Sequence, residues 1–123
     1  MLTTPAASRR EWLSMPGLSR PLYQMKAEFF KTLGHPVRIR VLELLSEREY
    51  TVAEMLAEIG VEAANLSQQL AILRRAGLVT ARREGLSVTY QTTTPEVADL
   101  LAAARAILTG VVAGQAEALE QPA

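Results

Sequence analysis

The 123-residue chain predicts a mainly α (α+β) fold of about five helices and one two-stranded β-hairpin, in the order ααααββα. Three features of the sequence carry that prediction. Apolar residues recur at three- and four-residue spacing from Leu22 to Leu73, the period falls to two between Leu78 and Thr93, and the helical period returns after Pro95.

The first helix carries Leu22, Met25, Phe29 and Leu33 on one face, and Gly34-His35-Pro36 ends it. Pro36 opens the second helix, since a first-turn residue needs no intrahelical N–H partner. It turns Val37, Val41, Leu44 and Leu45 inward until the charged "SEREY" breaks the pattern. Thr51 has the N-cap position of a capping box with Glu54, ahead of a short helix with Val52, Met55, Leu56 and Ile59 inward and Gly60 at its end. After a "VEA" turn comes "AANLSQQLAILRRAGL", whose Leu66, Leu70 and Leu73 form one stripe. "LVTARREGLSVTYQTT" alternates as a hairpin with Glu84 and Gly85 near its tip. The last helix starts at Pro95 and includes Val97, Leu100, Leu101, Ala104, Ile107, Leu108, Val111 and Val112.

A composition of 49% hydrophobic and 21% charged residues is that of a folded soluble domain. The expected division is a flexible N-terminal arm at 1–20, rich in Pro, Ser and Thr, one domain at 21–119 and a tail at 120–123. Without cysteine there are no disulfides, thiolate metal sites or thiol chemistry. The N-terminus lacks the apolar core of a signal peptide, and Glu96, Asp99, Arg105 and Glu117 interrupt the last helix, so a cytoplasmic protein with no membrane partner is expected. Neither a phosphate loop nor a nucleophile motif is present, which argues against an enzyme.

The formal net charge is zero, but it is unevenly spread. Residues 63–94 hold Arg74, Arg75, Arg82 and Arg83 against Glu84, whereas 95–123 hold Arg105 against Glu96, Asp99, Glu117 and Glu120. A local anion-binding surface is therefore compatible with overall neutrality. A short helix, a tight turn, a second helix and a hairpin form a winged helix-turn-helix, whose second helix is free to enter the DNA major groove. On its outer face Asn65, Ser67 and Gln68 are candidates to read base edges: amides pair with adenine N6 and N7, and Ser donates or accepts. Small Ala64 and Ala71 allow close approach. Arg74, Arg75, Arg82 and Arg83, with Gln69 and Ser87, are candidates for the DNA backbone. A winged-helix protein-interaction module without DNA binding stays open as an alternative.

The stretches "FFKTLGHPVRIRVLELL", "TVAEMLAEIG", "ANLSQQLAILRRAGLV" and the wing "REGLSVTYQ" together resemble the ArsR/SmtB family of bacterial winged-helix repressors, over most of the chain from Leu22 onward. The resemblance implies a homodimer in which the first and last helices of each subunit pack together, two recognition helices on a roughly palindromic operator, and an effector that lowers DNA affinity. The residues themselves agree on dimerisation, because the last helix is apolar on more than one stripe and carries Ala102, Ala103, Ala106, Gly110, Ala113 and Gly114 for close approach. Leu22, Met25, Phe29, Val97, Leu101, Ala104, Leu108 and Val111 are the expected interface residues.

Sensing departs from the family pattern. Where many members place cysteines at the start of the third helix, this chain has Thr51 and Ala53, and its last helix has Glu96 and Asp99 but no histidine. No metal site and no cofactor are expected. His35, the one histidine, is read as a helix-junction residue, and Met15, Met25 and Met55 as apolar packing rather than soft ligands. Tyr23, Phe29 and Phe30, with Trp12 before them, are packing residues first and a small-molecule pocket second. An unidentified, non-thiolate effector remains open, as does a repressor with no small-molecule sensing.

Overall fold

Leu22–Leu33 form helix α1, with Lys31 in the last turn facing the negative end of the helix dipole. The computed structural model describes residues 20–120, with side chains through 115. Residues 1–19 of the expected mobile arm, Trp12 among them, lie outside the described residues. On α1, Leu33 is buried and Met25 and Phe29 half-buried, while Leu22, Tyr23 and Phe30 are exposed. Arg20 pairs with Glu28, and the Phe29 and Phe30 rings meet edge to face at 5.6 Å. The His35 backbone N–H donates to the Leu33 carbonyl at 2.8 Å just past the end of α1. The chain up to His35 and the chain from Pro36 onward are two compact units.

In the second unit, α2 (Pro36–Glu47) is the central element. It buries Val37, Val41, Leu42, Leu44 and Leu45. Leu42 lies off the expected stripe and is nonetheless buried, because α2 is packed on several sides: α3 (Val52–Ile59), α4 (Ala63–Arg75), strand β3 (Ser87–Thr92) and α5 (Glu96–Glu120) all contact it. The expected capping box opens α3. Thr51 Oγ1 accepts from the Glu54 N–H at 3.1 Å, and the Thr51 N–H donates to Glu54 Oε1 at 2.8 Å. That backbone hydrogen bond holds the Glu54 carboxyl below its usual pKa. Gly60, at φ 74°, supplies the left-handed residue that ends α3.

Leu66, Leu70 and Leu73 of α4 are buried, and α4 packs on α2 and on β2 (Val79–Glu84). The hairpin forms as the alternation predicts, with Glu84 opposite Ser87 and Gly85 at φ 62° in the two-residue turn, the first central position of a type II′ hairpin. The sheet has three strands rather than two, in the order β1-β3-β2. The added strand β1 is Tyr50–Thr51, paired with Tyr90 and Thr89. Two residues are too few to show an alternation, so the strand is not visible as a pattern.

Helix α5 packs on α2 near its start, where Val97 is buried at 5% exposure and Leu100 and Leu101 are half-buried. Val97, expected at a subunit interface, therefore belongs to the core of its own chain. From Ala102 to Gln115 every residue is exposed. By length and composition, residues 96–115 are apolar enough to cross a membrane. Their polar breaks, Glu96, Asp99 and Arg105, and the packing of the first turns on α2 favour a protein interface instead.

Leu66→Ala should lower unfolding stability by about 2–5 kcal/mol, because it leaves a cavity under the fully buried α4 stripe. Thr51→Ala should cost about 1 kcal/mol through loss of the cap. Urea titrations of the two variants should rank them in that order; equal losses would mean that α4 relaxes to fill the space.

Candidate nucleic-acid interface

The buried leucine stripe decides what α4 presents outward. With Leu66, Leu70 and Leu73 inward, helical geometry places Gln68, Ala64 and Arg75 opposite them and Ser67 at the edge, and all four are exposed. Arg74 is exposed as well. Together Arg74 and Arg75 form the basic last turn of α4, ahead of Gly77 at φ 78°.

Asn65 and Gln69 stand apart from this outward group. Gln69 was expected at the DNA backbone, but it is buried at 6% exposure. Its Oε1 accepts from Arg38 Nη1 of α2 at 2.7 Å, and its Nε2 donates to Asn65 Oδ1 at 3.0 Å. A buried amide so paired cannot reach a phosphate. Its position on the α4 flank beside the leucine stripe, rather than on the outer face, is the physical reason. Asn65 is half-buried one turn before it, so one edge of its amide is taken internally.

The wing arginines differ in the same way. Arg82 Nη2 donates to Glu49 Oε1 at 2.7 Å, and its Nε lies 3.3 Å from Glu84 Oε1. This clamp holds the Glu49 carboxyl below its usual pKa and raises that of Arg82, in each case chiefly through their shared hydrogen bond. Arg83, its neighbour on β2, is exposed and has no ion pair among the described residues. Ser87 sits exposed beside the hairpin turn. Under the wing, Arg48 stacks over Tyr50 at 3.7 Å from the ring centre, and the Tyr50 hydroxyl donates to Glu47 Oε1 at 3.0 Å. Burial is the largest cause raising the Tyr50 pKa, followed by that hydrogen bond. These contacts tie β1, and through it β3, to the end of α2.

Among the described residues, no three His, Asp or Glu side chains gather in a way that could hold a metal ion. Met55 is fully buried in the core. Of the expected interface residues on α5, Leu101 is half-buried and Ala104, Leu108 and Val111 are exposed, beside exposed Ile107 and Val112.

Residues 35–81, from the start of α2 through α3, the turn and α4 into the wing, match the family model described as bacterial regulatory protein, arsR family. The chain is 54% identical over 103 residues to the uncharacterized HTH-type transcriptional regulator Rv0081 of Mycobacterium tuberculosis, covering 83% of this chain and 90% of that one. It belongs to the ArsR family. The crystal structure of Rv0081 superposes on this ArsR-family chain with a TM-score of 0.70, covering 79% of this chain and 98% of that one. The transcriptional repressor BigR from Xylella fastidiosa is 38% identical, with a TM-score of 0.66 over 69% of this chain and 87% of its own. The biofilm growth-associated repressor of Xylella fastidiosa is 40% identical over 75 residues, 61% of this chain and 66% of its own. This membership makes the chain a DNA-binding transcriptional regulator with a winged helix-turn-helix.

Two residues of this surface, Arg38 and Glu49, have no signature in the sequence. Each acts on a partner about thirty positions away, Gln69 and Arg82, and only the fold brings them together.

Glu49→Gln leaves Arg82 only its longer contact to Glu84, and should strengthen binding to any DNA sequence and steepen the dependence of log affinity on log salt by up to about one. Fluorescence anisotropy over a salt series tests this, and an unchanged slope would show that Arg82 stays away from DNA without Glu49. The Glu49 pKa is depressed, so the clamp is complete at neutral pH and is lost as pH falls through that depressed value. Acidification through that value should act on the wild-type chain in the direction of the variant, and the double variant Glu49→Gln, Glu84→Gln should lose this response.

Proposed function

We propose that the protein is a homodimeric repressor that binds a roughly palindromic operator in the cytoplasm through its 21–119 domain. One observation carries the reading: on α4, the exposed neutral amide of Gln68 lies opposite a fully buried leucine stripe and is followed by Arg74 and Arg75, exposed cations with no ion pair among the described residues. Charge next to the amide attracts phosphate without specifying sequence, and the amide itself can distinguish bases. Gln68 and Ser67 read base edges, with Asn65 at the flank. Arg74, Arg75, Arg83 and Ser87 contact the backbone, and Arg82 contributes less because it is clamped. The named repressors among the relatives support the direction of regulation.

The dimer rests on apolar side chains that each helix leaves exposed or half-buried: on α1 exposed Leu22 with half-buried Met25 and Phe29, and on α5 exposed Leu108, at 60%, Val111 and Ala104 with half-buried Leu101. A surface of this kind on one chain marks an interface, and a two-fold dimer presents two copies of α4 to two half-sites. With no cysteine in the chain, any effector acts without a thiolate.

Gln68→Ala should cost about 1–3 kcal/mol on the operator and relax sequence preference. Equal loss on random DNA in a competition assay would remove Gln68 from base reading. Arg83→Ala should weaken binding to all sequences and flatten the salt slope, more so than Arg82→Ala. Leu108→Glu should yield a monomer by light scattering and sharply reduced operator binding; a dimer that persists would place the interface elsewhere. A gel shift with no salt-sensitive binding would instead favour a protein-interaction module.

A further inference from the structure

The Arg38–Gln69–Asn65 chain has a direction, and that direction is set at its first member. A guanidinium has only donors, so the Gln69 oxygen must face Arg38, at 2.7 Å. The Gln69 NH2 group must then face along α4, where it meets Asn65 Oδ1 at 3.0 Å. Only the oxygen of Asn65 can receive it. Asn65 and Gln69 stand one turn apart on the same flank, and Gln69 is buried, so turning either amide over would leave buried polar groups unpaired. Asn65 Nδ2 is left neither buried nor hydrogen-bonded among the described residues.

We propose that Arg38 and Gln69 are positioning residues that lock the amide of Asn65 with its nitrogen outward, so that Asn65 selects a base presenting an acceptor edge: purine N7, guanine O6 or thymine O4. A free asparagine can pair both ways with adenine, accepting from N6 while donating to N7. Here the accepting half is turned toward Gln69. This inference rests on the DNA-reading role proposed for α4, and it assigns Gln69 a part in specificity without contact to DNA.

The test inverts the relay. Gln69→Glu keeps the size and the contact to Arg38 but offers Asn65 an acceptor in place of a donor, so Asn65 must turn Nδ2 inward and present Oδ1. Selection from a randomised duplex pool, using the full chain, should show one position in each half-site changing its preference by about tenfold toward a donor edge, adenine N6 or cytosine N4. The thermal midpoint should stay close to that of the wild type. Gln69→Met, which neither donates nor accepts strongly, should broaden preference at that same position, and Gln68→Ala should act at a different one.

Hydrogen exchange of the side-chain amides, followed by NMR on the wild-type chain without DNA, reads the relay separately. The Gln69 amide protons should exchange slowly and those of Asn65 fast. In Gln69→Glu the Asn65 protons should become slow. Slow Asn65 exchange in the wild type, fast exchange at both amides, or an unchanged base preference in Gln69→Glu would each overturn the proposal. A wild-type chain that selects no sequence would overturn the DNA-reading role and the selectivity with it, while the exchange pattern would still report whether the lock exists.

Discussion

Everything that faces outward in the second unit depends on the burial of α2. Val41, Leu42 and Leu44 are almost completely excluded from water, and α3, α4, β3 and the start of α5 all pack on this one helix. Burying side chains of this size stabilises by about 1.5–3 kcal/mol each, before the entropy of ordering them is set against it. A helix surrounded in this way cannot shift without moving its neighbours, and so the orientation of α4 is inherited from α2. Arg38, on the same helix, extends that control from packing to hydrogen bonding.

The polar surface is organised by internal competition. Two of the polar residues grouped by sequence as one DNA-facing set, Gln69 and Arg82, have strong partners within the protein: an arginine for the amide, two carboxylates for the guanidinium. Those partners leave Gln68, Ser67, Arg74, Arg75 and Arg83 as the outward groups. Surface pairs of the Glu49–Arg82 type add little to folding stability because water screens them. Their effect is to change which cations are available to an incoming anion.

The helices and the hairpin were legible because each is written in a local rule. Thr51 and Glu54 announce a capped helix, Gly85 a tight turn, and Leu66, Leu70 and Leu73 an inner face. Strand β1 was not legible, since two residues hold no period and Tyr50 pairs with Tyr90 only through the fold. The sequence does not show that Val97 belongs to the core, because an apolar residue near the start of α5 looks alike whether it covers its own core or a neighbour's; packing on α2 separates the two cases. Gln68 and Gln69 are adjacent and chemically identical, and a single step of about 100° around the helix separates an exposed amide from a buried one.

The clamp on Arg82 bears on how quickly a regulator finds its site. Most encounters with a chromosome are with irrelevant sequence, where binding comes from cations alone and lasts longer as more of them engage. A guanidinium already held by Glu49 and Glu84 adds little to those encounters. On the DNA-reading role proposed for α4, this shortens dwell time on the wrong sequence and leaves the proposed contacts of Gln68 and Asn65 unaffected, so that more of the search is spent in motion.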